Sequence, residues 1–294
     1  MLAADATIAL DDYRRLVSLD ERFAPRDDGT RDPAALLRVA LEFLEEEAGG
    51  DVPPEDDARR RLQALLTARP PAPLPGDVCD AIDGLLQRER STRAVTATDA
   101  LPRFALDGRG GSSAYALWQG DITTLGVDAI VNAANARLLG CFSPFHACID
   151  NAIHAAAGPR LREDCHRIMQ AQGHLEPTGV AKVTRAYHLP SRFVVHTVGP
   201  IVRGALTRQH ESDLARSYQS CLEVAARVGA RSLAFCAIST GVFGFPGEPA
   251  ARIALATVRD WIASHRDAPE LVVFNVFSNR DREIYRDAIR EFTP

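Results

Sequence analysis

Two textures of hydrophobic and polar positions divide the chain. Residues 1–68 are polar, with apolar positions at helical spacing. "LDDYRRLVSLDERF" predicts one helix and "DPAALLRVALEFLEEEAGG" a second. In the second, Asp32 before Pro33 reads as an N-cap followed by proline at the first helical position. The Gly49-Gly50 pair ends it. Residues 55–68 predict a third helix, "RPPAPLPG" a proline-rich connector, and "DVCDAIDGLLQRE" a fourth helix. Residues 91–114 then read as loops and linker.

From about residue 115 the pattern alternates. "AYALWQG", "VDAIVNAA", "VAKVTRAY", "RFVVHTVG", "RSLAFCAIS" and "ELVVFNVF" read as strands, and 148–157, 159–172, 208–228, 248–265 and 280–292 as helices. Strands that are apolar almost throughout, separated by helices, belong to a sheet covered on both faces. The expectation is an α/β fold of three layers over 115–294, preceded by a helical extension over 1–90.

Composition adds exclusions. Among the 294 residues 46% are hydrophobic and 25% charged, which suits a globular chain. The net charge of −5 comes without a long basic block, so nucleic acid is not an expected partner. No apolar run nears the roughly 20 residues of a membrane span. "MLAADATIALDDYRRLVSLDERF" lacks a basic-then-apolar signal pattern, so the expected location is cytoplasmic. There, six cysteines are expected as thiols or metal ligands. Cys79, Cys165, Cys221 and Cys236 read as small buried hydrophobes.

Four stretches carry candidate chemistry. "QGDITTLGVDAIVNAAN" ends strands at Asp121 and at Asn132 to Asn135, and binding groups in open α/β sheets gather at carboxyl ends of strands. The amides either close a turn or hydrogen-bond sugar hydroxyls. "GCFSPFHAC" spaces Cys141, His146 and Cys148 so that they could converge on one divalent ion with an open fourth position. Buried thiols are the plain alternative. In "CIDNAIHAAAG", Asp150 either caps a helix or stands as a carboxylate beside such an ion, and His154 reads as structural. "AISTGVFGFPGEPAARIALATV" runs a buried strand through a glycine-rich loop into a helix. Backbone N–H groups and a helix N-terminus there favour a phosphate or diphosphate, although a flexible turn would look the same. Thr178-Gly179 reads as a turn. Phe277 at a strand end could stack on a base, though a core role is commoner for any one Phe.

No one motif decides, but their order does. "GDITTLGVDAIVNAANARLLG", "DNAIHAAAGPRL", "TGVAKVTRAYHLPSRFVVHTVGP" and "ISTGVFGFP" together resemble the macrodomain family, which binds ADP-ribose. The resemblance runs from about residue 115 to the C-terminus and implies a mixed central sheet. "GCFSPFHAC" replaces a run of glycines found in many hydrolytic macrodomains. In this it resembles a zinc-dependent microbial subgroup of protein-ADP-ribose hydrolases, which also tends to carry a helical N-terminal extension. The resemblance implies Zn2+ held by Cys141, His146 and Cys148. It implies Asp121 accepting the adenine amino group and Ile122 lining the pocket. Asn135 would contact the distal ribose and Asn132 would shape that strand end. Gly179 and the loop of Ser239, Thr240, Gly241, Val242, Phe243, Gly244 and Phe245 would grip the diphosphate, with Phe245 flanking the ribose. Phe277 or Asn279 would border the adenine. Asp150, with Asn135, would act on a water or the ribose. The implied reaction removes mono-ADP-ribose from protein side chains, with an Asp or Glu ester as the linkage. A lipoyl-carrier protein modified by a sirtuin-type transferase is an implied substrate, and ADP-ribose the product. Two alternatives stay open: a module that binds ADP-ribose without turnover, and a hydrolase of a free metabolite such as O-acetyl-ADP-ribose.

Overall fold

The computed structural model describes residues 7–26, 31–52, 54–105 and 114–292. In chain order the helices are α1 (Leu10–Tyr13), α2 (Pro33–Ala48), α3 (Ala58–Ala68), α4 (Gly76–Thr92), α5 (Ile149–Ala157), α6 (Pro159–Gln172), α7 (Arg208–Arg227), α8 (Gly247–Ser264) and α9 (Asn279–Phe292). The strands are β1 (Thr96–Ala97), β2 (Arg103–Phe104), β3 (Ala114–Gln119), β4 (Leu125–Gly126), β5 (Ala129–Ala133), β6 (Ala181–Arg185), β7 (Phe193–Thr197), β8 (Ser232–Phe235) and β9 (Leu271–Val276).

Seven strands form the main sheet in the order β2-β3-β9-β8-β5-β7-β6. Its centre is parallel, while β2 on β3 and β6 on β7 are antiparallel, so the sheet is mixed. The steps β7→β8 and β8→β9 run one way along the sheet, and β5→β6 runs the other. Right-handed crossovers between the parallel strands β7, β8 and β9 send α7 and α8 to one face, and helices flank the mixed sheet. This is the expected three-layer α/β/α arrangement. Every residue of Phe193–Thr197 and of Leu271–Val276 is buried, which explains why these strands read as apolar runs and not as alternations.

All six expected strands and all five helices of the α/β part are present, with ends shifted by at most a few residues. The N-terminal part differs in two places. The expected helix from Leu10 is a single turn followed by hydrogen-bonded turns, within which Ser18 takes a left-handed φ of 46°. Leu10, Tyr13 and Val17 keep the helical spacing and are buried in the main core. The stretch expected as loops contains β1 and β2, and β2 extends the main sheet. Residues 106–113 of that stretch lie outside the described residues.

The extension has its own core of Leu36, Ala40, Leu44, Leu62, Leu65, Ile82 and Leu86 between α2, α3 and α4. Asp32 caps α2 by accepting from the Ala34 N–H at 3.2 Å, as expected. Buried polar links tie residues 1–90 to the rest. Asp83 on α4 accepts from His188 at 3.0 Å and from Arg160 at 2.8 Å. Tyr13 Oη accepts from the Val183 N–H of edge strand β6 at 2.9 Å. No helix among the described residues is long and apolar enough to cross a membrane.

Candidate active site

β5 and α5 hold the centre of the site. Asn132 on β5 is fully buried, and its amide nitrogen donates in two directions: to Asp150 Oδ1 at 2.8 Å and to His196 Nδ1 at 3.2 Å. Asn135, just past the strand, donates to the Gly140 carbonyl at 3.0 Å and to Asp150 Oδ2 at 3.4 Å. Both carboxylate oxygens are thereby held by the two amides of "NAAN". Asp150 lies in the first turn of α5 and is 6% exposed. Burial pushes its carboxyl up to about 6, against the Asn132 hydrogen bond, the charge of Arg162 and the Asn135 hydrogen bond.

The α5 N-cap is Cys148, whose sulfur accepts from the Asn151 N–H at 3.4 Å. The Asn151 side chain reaches back to the carbonyls of Ser143 and His146, at 3.3 and 3.0 Å, and closes the loop on itself. The loop so folded brings one donor atom each of Cys141, His146 and Cys148 within 4.8 Å of one another. Two sulfurs and one imidazole nitrogen are a donor set that suits zinc, and three protein donors leave a fourth position open. The residues therefore fit such an ion. In the protein alone, burial pushes the Cys148 thiol up to about 11; the Asn151 N–H opposes this, and Cys141 and Asp150 add to it. A cation reverses that balance, because the thiolate is the ligating form.

A second trio of ligand-type side chains, His154, Cys165 and His196, is fully buried next to Asp150. Both His196 nitrogens are already engaged, Nδ1 by Asn132 and Nε2 with Thr184 Oγ1 at 3.0 Å. Since the Asn132 nitrogen donates, His196 Nδ1 accepts, and Nε2–H donates to Thr184. Burial pushes His196 down to about 3, so it is neutral. The trio is a polar layer packed beneath the carboxylate. His154 Nε2 stands 3.5 Å from Asp150 Oδ1.

The loop between β8 and α8 leaves several backbone N–H groups unengaged. Among the described residues, the N–H groups of Gly241, Val242 and Phe243 donate to no protein acceptor. α8 follows without a side-chain cap, so its first N–H groups add to the positive end. Internal bonds shape the loop: Phe245 N–H to Ser239 O and Gly244 N–H to Gly241 O, both 3.0 Å. Gly244 has φ 71°, and a Cβ there would meet the Val202 carbonyl oxygen at 2.9 Å. Phe245 is 2% exposed and packs in the main core, while Phe243 is half-buried against Ala134, Leu138, Cys165 and Val198. Gly179 donates its N–H to Val198 O at 2.9 Å, which joins its turn to the end of β7.

At the other end, Asp121 follows β3. Its Oδ1 accepts from the Thr123 N–H at 2.9 Å and from its hydroxyl at 2.7 Å, while Oδ2 is paired with Arg93 from the end of the extension. Ile122 is fully buried beside it. Asn279 accepts from Gln119 at 3.1 Å, and Phe277 is 79% exposed. Sequence reasoning missed Arg93, Arg162 and His196. His196 sits in an apolar strand pattern with nothing to mark it, and the two arginines act across long sequence separations.

Similarity to known proteins bears on this arrangement. A protein-ADP-ribose hydrolase of Treponema medium is 50% identical over 232 residues, 79% of this chain and 87% of its own length. This chain belongs to the macro domain family. The Macro domain family model matches residues 131–254, from the Asn132 strand into the first half of α8. A protein-ADP-ribose hydrolase of Staphylococcus aureus is 40% identical over 234 residues, 79% of this macrodomain protein and 85% of its own length. A solved Oceanobacillus iheyensis macrodomain with ADPR bound superposes with a TM-score of 0.58 at 36% identity, covering 65% of this chain and 98% of that one.

Proposed function

We propose that this macrodomain is a hydrolase that removes mono-ADP-ribose from modified protein side chains, with Zn2+ as its cofactor. The observation that carries the reading is the convergence of Cys141, His146 and Cys148 two residues before a buried, doubly hydrogen-bonded Asp150. The names of the relatives from Treponema medium and Staphylococcus aureus support the same class of reaction. A module built only to bind ADP-ribose has no use for a carboxylate and three metal donors in one place.

The geometry supports the following roles. Asp121 takes the adenine amino group as a further donor on Oδ2, beside Ile122. The free N–H groups of Gly241, Val242 and Phe243 hold the diphosphate and fix the distal ribose, while the N–H of Gly179 is engaged by Val198. Asn135 and Asn132 hold Asp150 with one oxygen toward each amide. Asp150, raised by burial, receives or orients a proton on the attacking water or on a ribose hydroxyl. When bound, the ion supplies positive charge that lowers the pKa of a coordinated oxygen at the sugar. The bond broken is the one from C1″ of the distal ribose to the side chain, an Asp or Glu ester being the most labile linkage. A lipoyl-carrier protein modified by a sirtuin-type transferase is one substrate to try.

The test is release of label from a mono-ADP-ribosylated protein modified on Asp or Glu. The wild type should release ADP-ribose, and Asp150→Ala or Cys148→Ser should slow release by roughly a hundredfold. Tight ADP-ribose binding with no turnover would favour a pure binding module instead. Unchanged rates in both variants would overturn the proposed chemistry.

A further inference from the structure

The loop carrying the three donors places an aromatic ring next to two of them. Phe142 follows Cys141, and Phe145 precedes His146. Each ring has one face covered by a guanidinium. Arg60 Cζ lies 4.2 Å from the Phe145 centroid, and Arg162 Cζ lies 4.6 Å from the Phe142 centroid. Arg60 belongs to α3 of the extension and is itself held by Glu55 through bonds of 3.0 and 3.2 Å. Arg162 belongs to α6, yet it also depends on α3. Its Nη1 donates to the Leu66 carbonyl at 2.9 Å and the Arg69 carbonyl at 2.6 Å, at the C-terminal, negative end of that helix. Among the described residues no carboxylate lies within ion-pair distance of Arg162, which is 7% exposed. Two carbonyls and a ring face are its direct contacts, and the Asp150 charge acts on it from further off.

The backbone between the donors is under constraint. Phe145 has φ 59°, a region that bulky L residues rarely enter. Such a conformation persists where the surroundings over-determine it. The surroundings of Phe145 include the Arg60 stack on one side and the Asn151 bond to the adjoining His146 carbonyl on the other. A loop that had to find this shape at each binding event would lose affinity to ordering.

We propose that α3 of the N-terminal extension clamps the Cys141–His146 loop in its metal-ligating shape, acting through Arg60 on Phe145 and through Arg162 on Phe142. The two arginines are positioning residues for the ion. The inference rests on the zinc reading above and assigns the extension a role within the site.

The test uses the zinc-loaded full chain without nucleotide. It follows transfer of zinc to a chromogenic chelator in wild type, Arg60→Ala, Phe145→Ala, the double variant and Arg60→Lys. Each Ala variant should release zinc about threefold faster, the scale of one exposed cation–π contact. The double variant should be no faster than either single one, and Arg60→Lys should restore most of the wild-type rate. The melting temperatures of the metal-free proteins should agree closely, because Arg60 and Phe145 lie at the surface. Wild-type release rates in the Ala variants overturn the clamp, as do effects of the two substitutions that multiply in the double. A wild type that takes up no zinc overturns the zinc reading, and the clamp with it. A wild type that holds zinc, with variants releasing it at the same rate, overturns the clamp alone.

Discussion

At the scale of single residues, the site depends on a few groups fixed from more than one direction. Asp121, the proposed adenine contact, shows this, with Thr123 on one oxygen and Arg93 on the other. Replacing it with Ala removes a charge-assisted acceptor and should weaken ADP-ribose binding by about tenfold, read by calorimetry. Gly244 shows it in the loop proposed to hold the diphosphate. A side chain at φ 71° is strained, and its Cβ would press on the Val202 carbonyl. Gly244→Ala should therefore distort the loop and weaken ADP-ribose binding while leaving metal content unchanged. Affinity equal to wild type would remove that loop from the diphosphate role. These residue types were legible in the sequence, because Asp121 and Asn135 stand at strand ends and the glycines precede a helix. Their partners were not. Arg93, Arg162 and His196 meet the site only after distant segments pack, and no local spacing announces that. Phe245 shows the converse: its place in the motif aims it at the ribose, and its side chain lies in the core, 2% exposed.

Elements of the α/β body were readable because local signals agreed with the fold. Strands such as Phe193–Thr197 are buried on both faces, so their sequence is apolar without alternation. Short pieces carried no such signal. Two-residue strands such as Arg103–Phe104 have no period to detect and exist by pairing alone. α4 is joined to the body through Asp83, which His188 and Arg160 approach from the body side. Burial alone would raise the Asp83 carboxyl, and those hydrogen bonds overcome it and hold it below the ordinary carboxylate range. A group depressed in the folded state contributes stability above its unfolded value, near 4, and loses it as pH falls through the folded value. The wild type should thus lose more melting temperature than Asp83→Asn between about pH 5 and about pH 3. At neutral pH the same variant should be destabilised by about 3 kcal/mol, because it removes one partner of a buried charged cluster. Equal acid sensitivity of the two proteins in a melting series would contradict this role for Asp83.

For the whole molecule, topology decides where chemistry can occur. β5 and β8 are neighbouring parallel strands, so the loops that follow them leave the same carboxyl end of the sheet. That shared end carries both the proposed metal loop with Asp150 and the proposed anion-binding loop. The N-terminal helices add a second small core, and they reach the site at both ends, through Arg93 at Asp121 and through α3 at the Cys141–His146 loop. The central claim is that a metal ion held by Cys141, His146 and Cys148 works with Asp150 in hydrolysis. The most direct test measures release of ADP-ribose from a mono-ADP-ribosylated protein before zinc removal, after it, and after zinc is returned, with bound zinc counted at each stage. The account predicts one zinc per chain, loss of release when it is stripped, and recovery when it is restored. Full release by protein carrying no metal would contradict it.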